Sequence, residues 1–323
     1  MKKIKFLNYV LLTSLIVSLL LPAGNIKAAS SSTKTLNSSY VVYGAGTASE
    51  VRSKLADVLG VDSNFKTLTA TASDYQKYIA DGSNTTDAAM ISSVAIAPSD
   101  PGSGVKVNIK NYDGQNNITQ VTAQQYAMVA QMAGVSDVTI VVTANRAVSG
   151  ESALTGVYKA LAQDGIQLNP TDTTTANQML DATQSAINEN ADDSSYAGNL
   201  MAAVGDTTKE IASQKQDGQT LTADQIQALL EKALQEHGIA DKTSQNSVTN
   251  IVNILINFQK SPISSSKDYI SSVSDTINNV KNSTGNLMNK AKDWANSAAA
   301  KETVQKAKNI FTQFIEWIKS FFN

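Results

Sequence analysis

Strand signals fill residues 40–145 of this 323-residue chain and stop near Ser149, after which every patterned segment reads as helix. That change restricts the fold: the sheet must be assembled from the first half, and the second half can cover it only with helices. Five segments read as strands, at 40–43, 65–71, 90–97, 105–110 and 138–143. Along one of them, Val105, Val107 and Ile109 alternate with Lys106, Asn108 and Lys110, which predicts one wet face. Helices are expected between the strands. Val51, Leu55, Val58 and Leu59 share a helical face that Gly60 ends, and Ser73 is placed to cap a short helix over 73–80. Thr122 caps a third helix, which carries Tyr126, Val129, Ala130 and Ala133 and stops at Gly134. A weak repeat links these units. Leu59-Gly60-Val61-Asp62 precedes one strand, and Ala133-Gly134-Val135-Ser136-Asp137 precedes another. The pattern predicts an α/β sandwich with helices on one side of a mixed sheet.

Beyond Ser149 helices are expected over 149–163, 173–190, 196–213, 222–237 and 247–259. The fourth has a full start signal, with Thr222 as N-cap, Gln225 three residues on, and Leu221 and Ile226 as a hydrophobic staple. The fold class is therefore α+β: an N-terminal mixed-sheet α/β module over 29–170, then an all-helical C-terminal region. The latter divides into a helical domain over 171–260 and a closing segment over 261–323.

That closing segment is the most regular of all. Ile263, Ile270, Val273, Ile277, Val280, Leu287, Ala291, Trp294 and Ala298 fall on a and d positions of a heptad, predicting a long helix with a narrow apolar stripe. Such a stripe needs a partner surface, and Ile270, Val273, Ile277, Val280, Leu287 and Trp294 are candidates for self-association. The last helix places Ile310, Phe311, Phe314, Ile315, Trp317, Ile318, Phe321 and Phe322 on one arc. Two outcomes stay open for it. It folds back on the helical region, or it contacts an anionic membrane surface, a wall polymer or an envelope protein.

The start of the chain reads as a secretory signal peptide over 1–28. Lys2, Lys3 and Lys5 precede a largely apolar run over 6–21, Pro22 and Gly24 break it, and Ala28 offers a small residue for cleavage. The expected location is extracellular or at the cell envelope. With no cysteine, disulfides and thiolate chemistry are excluded, so packing alone must hold the fold. Charge is uneven. Residues 1–28 hold four lysines and no acid, residues 260–323 hold nine lysines and five acids, and the body between them carries a net −10.

No constellation selects an active site, a cofactor or a metal. Gly44-Ala45-Gly46 lies between a strand and a helix, where a phosphate could rest on free N–H groups, but Ser49 stands where the dinucleotide pattern needs glycine. Ser152 follows Gly150, yet Leu154 occupies the position of the second glycine of a nucleophile elbow, and His237 is the one histidine. Residues 188–193 resemble a calcium loop only in composition. The residues read best as a non-catalytic interaction protein of the cell envelope. The alternatives are an extracellular hydrolase whose carboxylates the pattern does not single out, and a self-assembling structural protein.

Several segments resemble a family of exported Gram-positive proteins, domain-of-unknown-function family one thousand and two. They are Ala89-Met-Ile-Ser-Ser-Val-Ala-Ile-Ala97, Gly102-Ser-Gly-Val-Lys-Val-Asn108, Ala133-Gly-Val-Ser-Asp-Val-Thr-Ile-Val-Val-Thr-Ala144 and Val148-Ser-Gly-Glu-Ser-Ala-Leu-Thr-Gly156. Asn145-Arg146 departs from it where a proline is expected. The resemblance implies export and this architecture, and it implies no activity.

Overall fold

The computed structural model of the protein describes residues 33–80 and 82–282. The expected signal peptide lies outside the described residues. So do Leu287 and Trp294 of the heptad stripe and the whole arc of Ile310, Phe311, Phe314, Ile315, Trp317, Ile318, Phe321 and Phe322.

Strands β1 (Tyr40–Gly44), β2 (Lys66–Ala70), β3 (Ser93–Pro98), β4 (Val105–Ile109) and β5 (Val138–Thr143) form one sheet in the order β2-β1-β3-β5-β4. β1 pairs parallel with β2 and β4 parallel with β5, while β3 runs antiparallel to both its neighbours. The two parallel pairs enclose helices α1 (Ser49–Leu59) and α3 (Ala123–Met132). The weak repeat is thus a pair of strand–helix–strand units, one on each flank of β3.

Helices cover both faces of the sheet, not one. Val41, Tyr43, Ala95, Ala97 and Val141 pack with Leu55 and Leu59 of α1. The opposite row, including Val42, Val94, Ile96, Ile140 and Val142, shares a core with α3 and with α4 (Glu151–Gln163). The physical reason is visible in β3 and β5, which are buried at every position. A strand apolar on both faces needs cover on both. β4 keeps the expected alternation as far as Asn108, with Val105 and Val107 buried and Lys106 and Asn108 half-exposed, while Ile109 at its end is half-exposed too.

Local chemistry sets the helix starts. Thr122 and Thr222 each form capping boxes with the glutamine three residues on. The short helix α2 spans Ala72–Tyr78 and is capped by Thr71 with Asp74, not by Ser73. Helix α5 (Pro170–Glu189) begins earlier than expected, because the Asn169 side chain accepts from the N–H groups of Thr171 and Asp172 and Pro170 suits the first turn.

Helices α6 (Tyr196–Gln216), α7 (Ala223–Glu236), α8 (Gln245–Lys260) and α9 (Lys267–Asn282) complete the described chain. The heptad helix starts at Lys267 rather than 261, since Pro262–Ser265 form a 3-10 turn. That turn holds Ile263, whose N–H donates to Asp172 Oδ1 at 3.0 Å.

The stripe on α9 is spent within the chain. Val273, Ile277 and Val280 are buried, and α9 packs on α6, α3 and β4. Thr276 Oγ1 donates to Gln131 Oε1 at 2.8 Å and accepts from the Val105 N–H at 2.9 Å, and Gln131 Nε2 donates to Ser272 Oγ at 2.8 Å. Self-association through Val273, Ile277 and Val280 would therefore compete with the protein's own core. The larger of the two core clusters among the described residues runs from Leu36 to Val280, with members on both sides of residues 170 and 260.

Candidate functional site

The motifs singled out for chemistry are engaged within the fold. The Gly44-Ala45-Gly46 turn presents no free phosphate cradle, because Ala45 N–H donates to Ala70 O and Gly46 N–H to Met90 O. Ser152 Oγ is buried 2.5 Å from Ser92 Oγ, and Ser92 Oγ in turn accepts the Ala153 N–H at 2.9 Å. His237 lies elsewhere, at the end of α7, with Nε2 2.7 Å from Asp206 Oδ2. Ser152 and His237 therefore do not share a site. The calcium-like segment is met by a cation of the chain itself, since Lys242 Nζ sits 2.6 Å from Asp193 Oδ2. Asp193 also accepts from the Ser195 N–H and hydroxyl. Lys242, Ser195 and the Ser195 N–H together hold the Asp193 carboxyl well below the usual range.

The concentration of interacting titratable groups lies instead where α2 crosses α4 and α5. Lys159 Nζ of α4 donates to Asp74 Oδ2 at 2.6 Å. The Tyr75 hydroxyl donates to the Glu151 carboxylate. From α5, Asn177 Nδ2 donates to the carbonyls of Tyr78 at 2.6 Å and Ile79 at 3.3 Å, and its Oδ1 accepts from the Tyr158 hydroxyl. Burial and the Glu151 carboxylate push the Tyr75 hydroxyl far up. Burial, and then Glu151, raise the Asp181 carboxyl. Burial, with Asp275 adding to it, also raises the Asp137 carboxyl, which accepts from the Gly104 N–H at 3.0 Å. Beside Asp181, Glu151 spends its carboxylate on anchoring Tyr75.

Asp74 behaves in the opposite sense. Burial works to raise its carboxyl, but Lys159, the Thr71 N–H and the Thr71 hydroxyl together outweigh burial and lower it below 3.8. The sign follows from linkage. A depressed carboxyl contributes stability that is full above its unfolded value and is lost as pH falls through the folded one. Acidification below pH 3.8 is therefore expected to loosen α2 first. Hydrogen-exchange protection of the Tyr75–Tyr78 amides should fall there before that of α4, and Asp74→Asn should loosen α2 already at neutral pH. Equal protection in the variant and the wild type would exclude Asp74 as the anchor.

Beside this seam a cleft of about 610 Å³ opens between α2, the turn after α4 and the start of α5. That size is within the roughly 300–1,000 Å³ of small-molecule sites. Its walls include Lys77, Tyr78, Ile166, Leu168, Pro170 and Thr173. Tyr78, Ile166 and Leu168 are half-buried and rest on the main core, so the apolar wall is fixed. The Tyr78 ring leans on Tyr158 at 6.1 Å between centroids, and Lys77 Nζ lies 4.8 Å over the Tyr78 ring. Lys77 is the one charged side chain among the described lining residues. A more open groove of about 390 Å³ between α5 and α8 is lined mainly by polar residues, including Thr171, Thr174, Gln178 and Asn257. The sequence reading missed the cleft. Its walls come from 77–78, 162–168 and 170–173, and no local pattern joins them.

Among the described residues no group of three or more His, Cys, Asp or Glu could hold a metal ion, and no helix is long and apolar enough to cross a membrane. The chain matches the family described as "Protein of unknown function (DUF1002)" over residues 43–280. It is similar to "Uncharacterized protein YpuA" of Bacillus subtilis (strain 168), with 33% identity over 124 residues, which are 37% of this chain and 40% of that relative. No solved structure matches it.

Proposed function

We propose that this chain, which belongs to the DUF1002 family of proteins of unknown function, is an exported, non-catalytic binding protein of the cell envelope. The observation that carries the binding half is the preformed cleft, whose apolar wall is set on the core while its mouth stays open. The engagement of Ser152, His237 and Glu151 in hydrogen bonds to the fold argues against their serving as catalytic groups. Export rests on the residues of 1–28. Attachment rests on the arc of Ile310, Phe311, Phe314, Ile315, Trp317, Ile318, Phe321 and Phe322, supported by the excess of lysine after residue 260.

The first test is location and processing. In a Gram-positive host the mature protein is expected outside the cytoplasm with its N-terminus close to Ala29. N-terminal sequencing of the medium, wall and membrane fractions checks it. A protein that keeps Met1 and stays in the cytoplasm would end the envelope reading.

A further inference from the structure

We infer that the cleft between α2, α4 and α5 takes a small amphiphile with a flat apolar body and a single anionic group, an inference that rests on the binding reading above. The body is matched by the wall. Tyr78, Ile166 and Leu168 come from two sides of the cleft and are each half-buried against the core. The Tyr78 ring is held by Tyr158, and its backbone carbonyl is fixed by Asn177. A rigid aromatic wall of this kind binds flat apolar groups without ordering itself first.

The anionic group is selected by what remains polar. Thr173 Oγ1 is turned inward, donating to the carbonyls of Pro170 and Asn169. The start of α5 is closed to an anion, because Asn169 Oδ1 already accepts from Thr171 and Asp172. Gln167 adds an exposed neutral amide, so Lys77 is left as the one charge among the described lining residues, and it pairs with no carboxylate among the described residues. Its ammonium, already over the Tyr78 ring, would meet an anion attached to whatever stacks there. One cation with no acid among the described lining residues favours one negative charge on the ligand.

The test uses the full chain with two probes of the same shape, 2-naphthoate and neutral 2-naphthamide, followed by amide chemical shifts. Naphthoate is expected to shift Tyr78, Gly165, Ile166 and Leu168, and naphthamide to bind the same amides about tenfold more weakly. Lys77→Gln, a change at an exposed position, should bring the naphthoate affinity down to that of naphthamide. Equal binding of the two probes by the wild type, or a preference that survives Lys77→Gln, overturns the anionic class and leaves the cleft as a binding site. Shifts confined to other residues, or none, overturn the cleft itself.

Discussion

A chain cut after residue 266 is expected to lose its cooperative unfolding transition, whereas one cut after residue 282 keeps it. The difference between them is α9 alone. Cutting at 266 removes Val273, Ile277 and Val280 from the core, and burying each such side chain contributes on the order of 1.5–3 kcal/mol. It also strips Gln131, which is fully buried on α3, of its partners Ser272 and Thr276. An unpartnered buried amide costs about 1–3 kcal/mol more. Together these losses approach the roughly 5–15 kcal/mol that holds an ordinary domain. The same reasoning applies with greater force to residues 29–170 alone. That fragment keeps the sheet but leaves α3, buried from Gln125 to Met132, without α5, α6 and α9 against it. Urea unfolding of the truncated chains is the measurement. A sharp transition in the 266 product would show that the sheet and its two layers need no seal from α9.

Gly44→Ala is expected to destabilise the protein by about 3 kcal/mol or more. Gly44 ends β1 where the segment entering β3 crosses it. A Cβ there would lie 2.0 Å from Met90 O and 2.4 Å from Met90 C. Those atoms are backbone, and Met90 O also accepts the Gly46 N–H, so they cannot move aside as a side-chain tip can. Gly82→Ala is the control. It has a positive φ of 74° but nothing within 4 Å, so it should cost only about 1–2 kcal/mol. If the urea midpoint of Gly44→Ala falls no further than that of Gly82→Ala, the close approach at Met90 is not what retains the glycine.

The sites of these two effects differ in how far the sequence announces them. Gly44 and Gly46 stand out between a strand and a helix, and phosphate binding and a tight turn both suit them until Met90 is placed against them. The heptad positions of α9 announce burial equally well. Whether the covering surface is a second copy, a membrane or the chain itself depends on α3 and α6, which lie far away in sequence. Asn169-Pro170 is a start signal that the residues do contain, and reading it would have placed α5 correctly. The runs 94–97 of β3 and 140–142 of β5, apolar at consecutive positions, likewise contain the two-sided cover that a one-sided sandwich misses.

The α+β class, the positions of the five described strands, the repeat that becomes two strand–helix–strand units, and most described helix ends are written in the order of residues alone. These follow from side-chain period, capping and glycine stops, which act within a few residues. The strand order, the cover on both faces, the seating of α9 and the cleft that Lys77, Tyr78, Ile166 and Leu168 share emerge from contacts between segments far apart in the chain. Local chemistry specifies which side chains must leave water. It does not specify which distant side chains they will meet, because burial is non-directional and close packing selects among partners only once the whole chain is assembled.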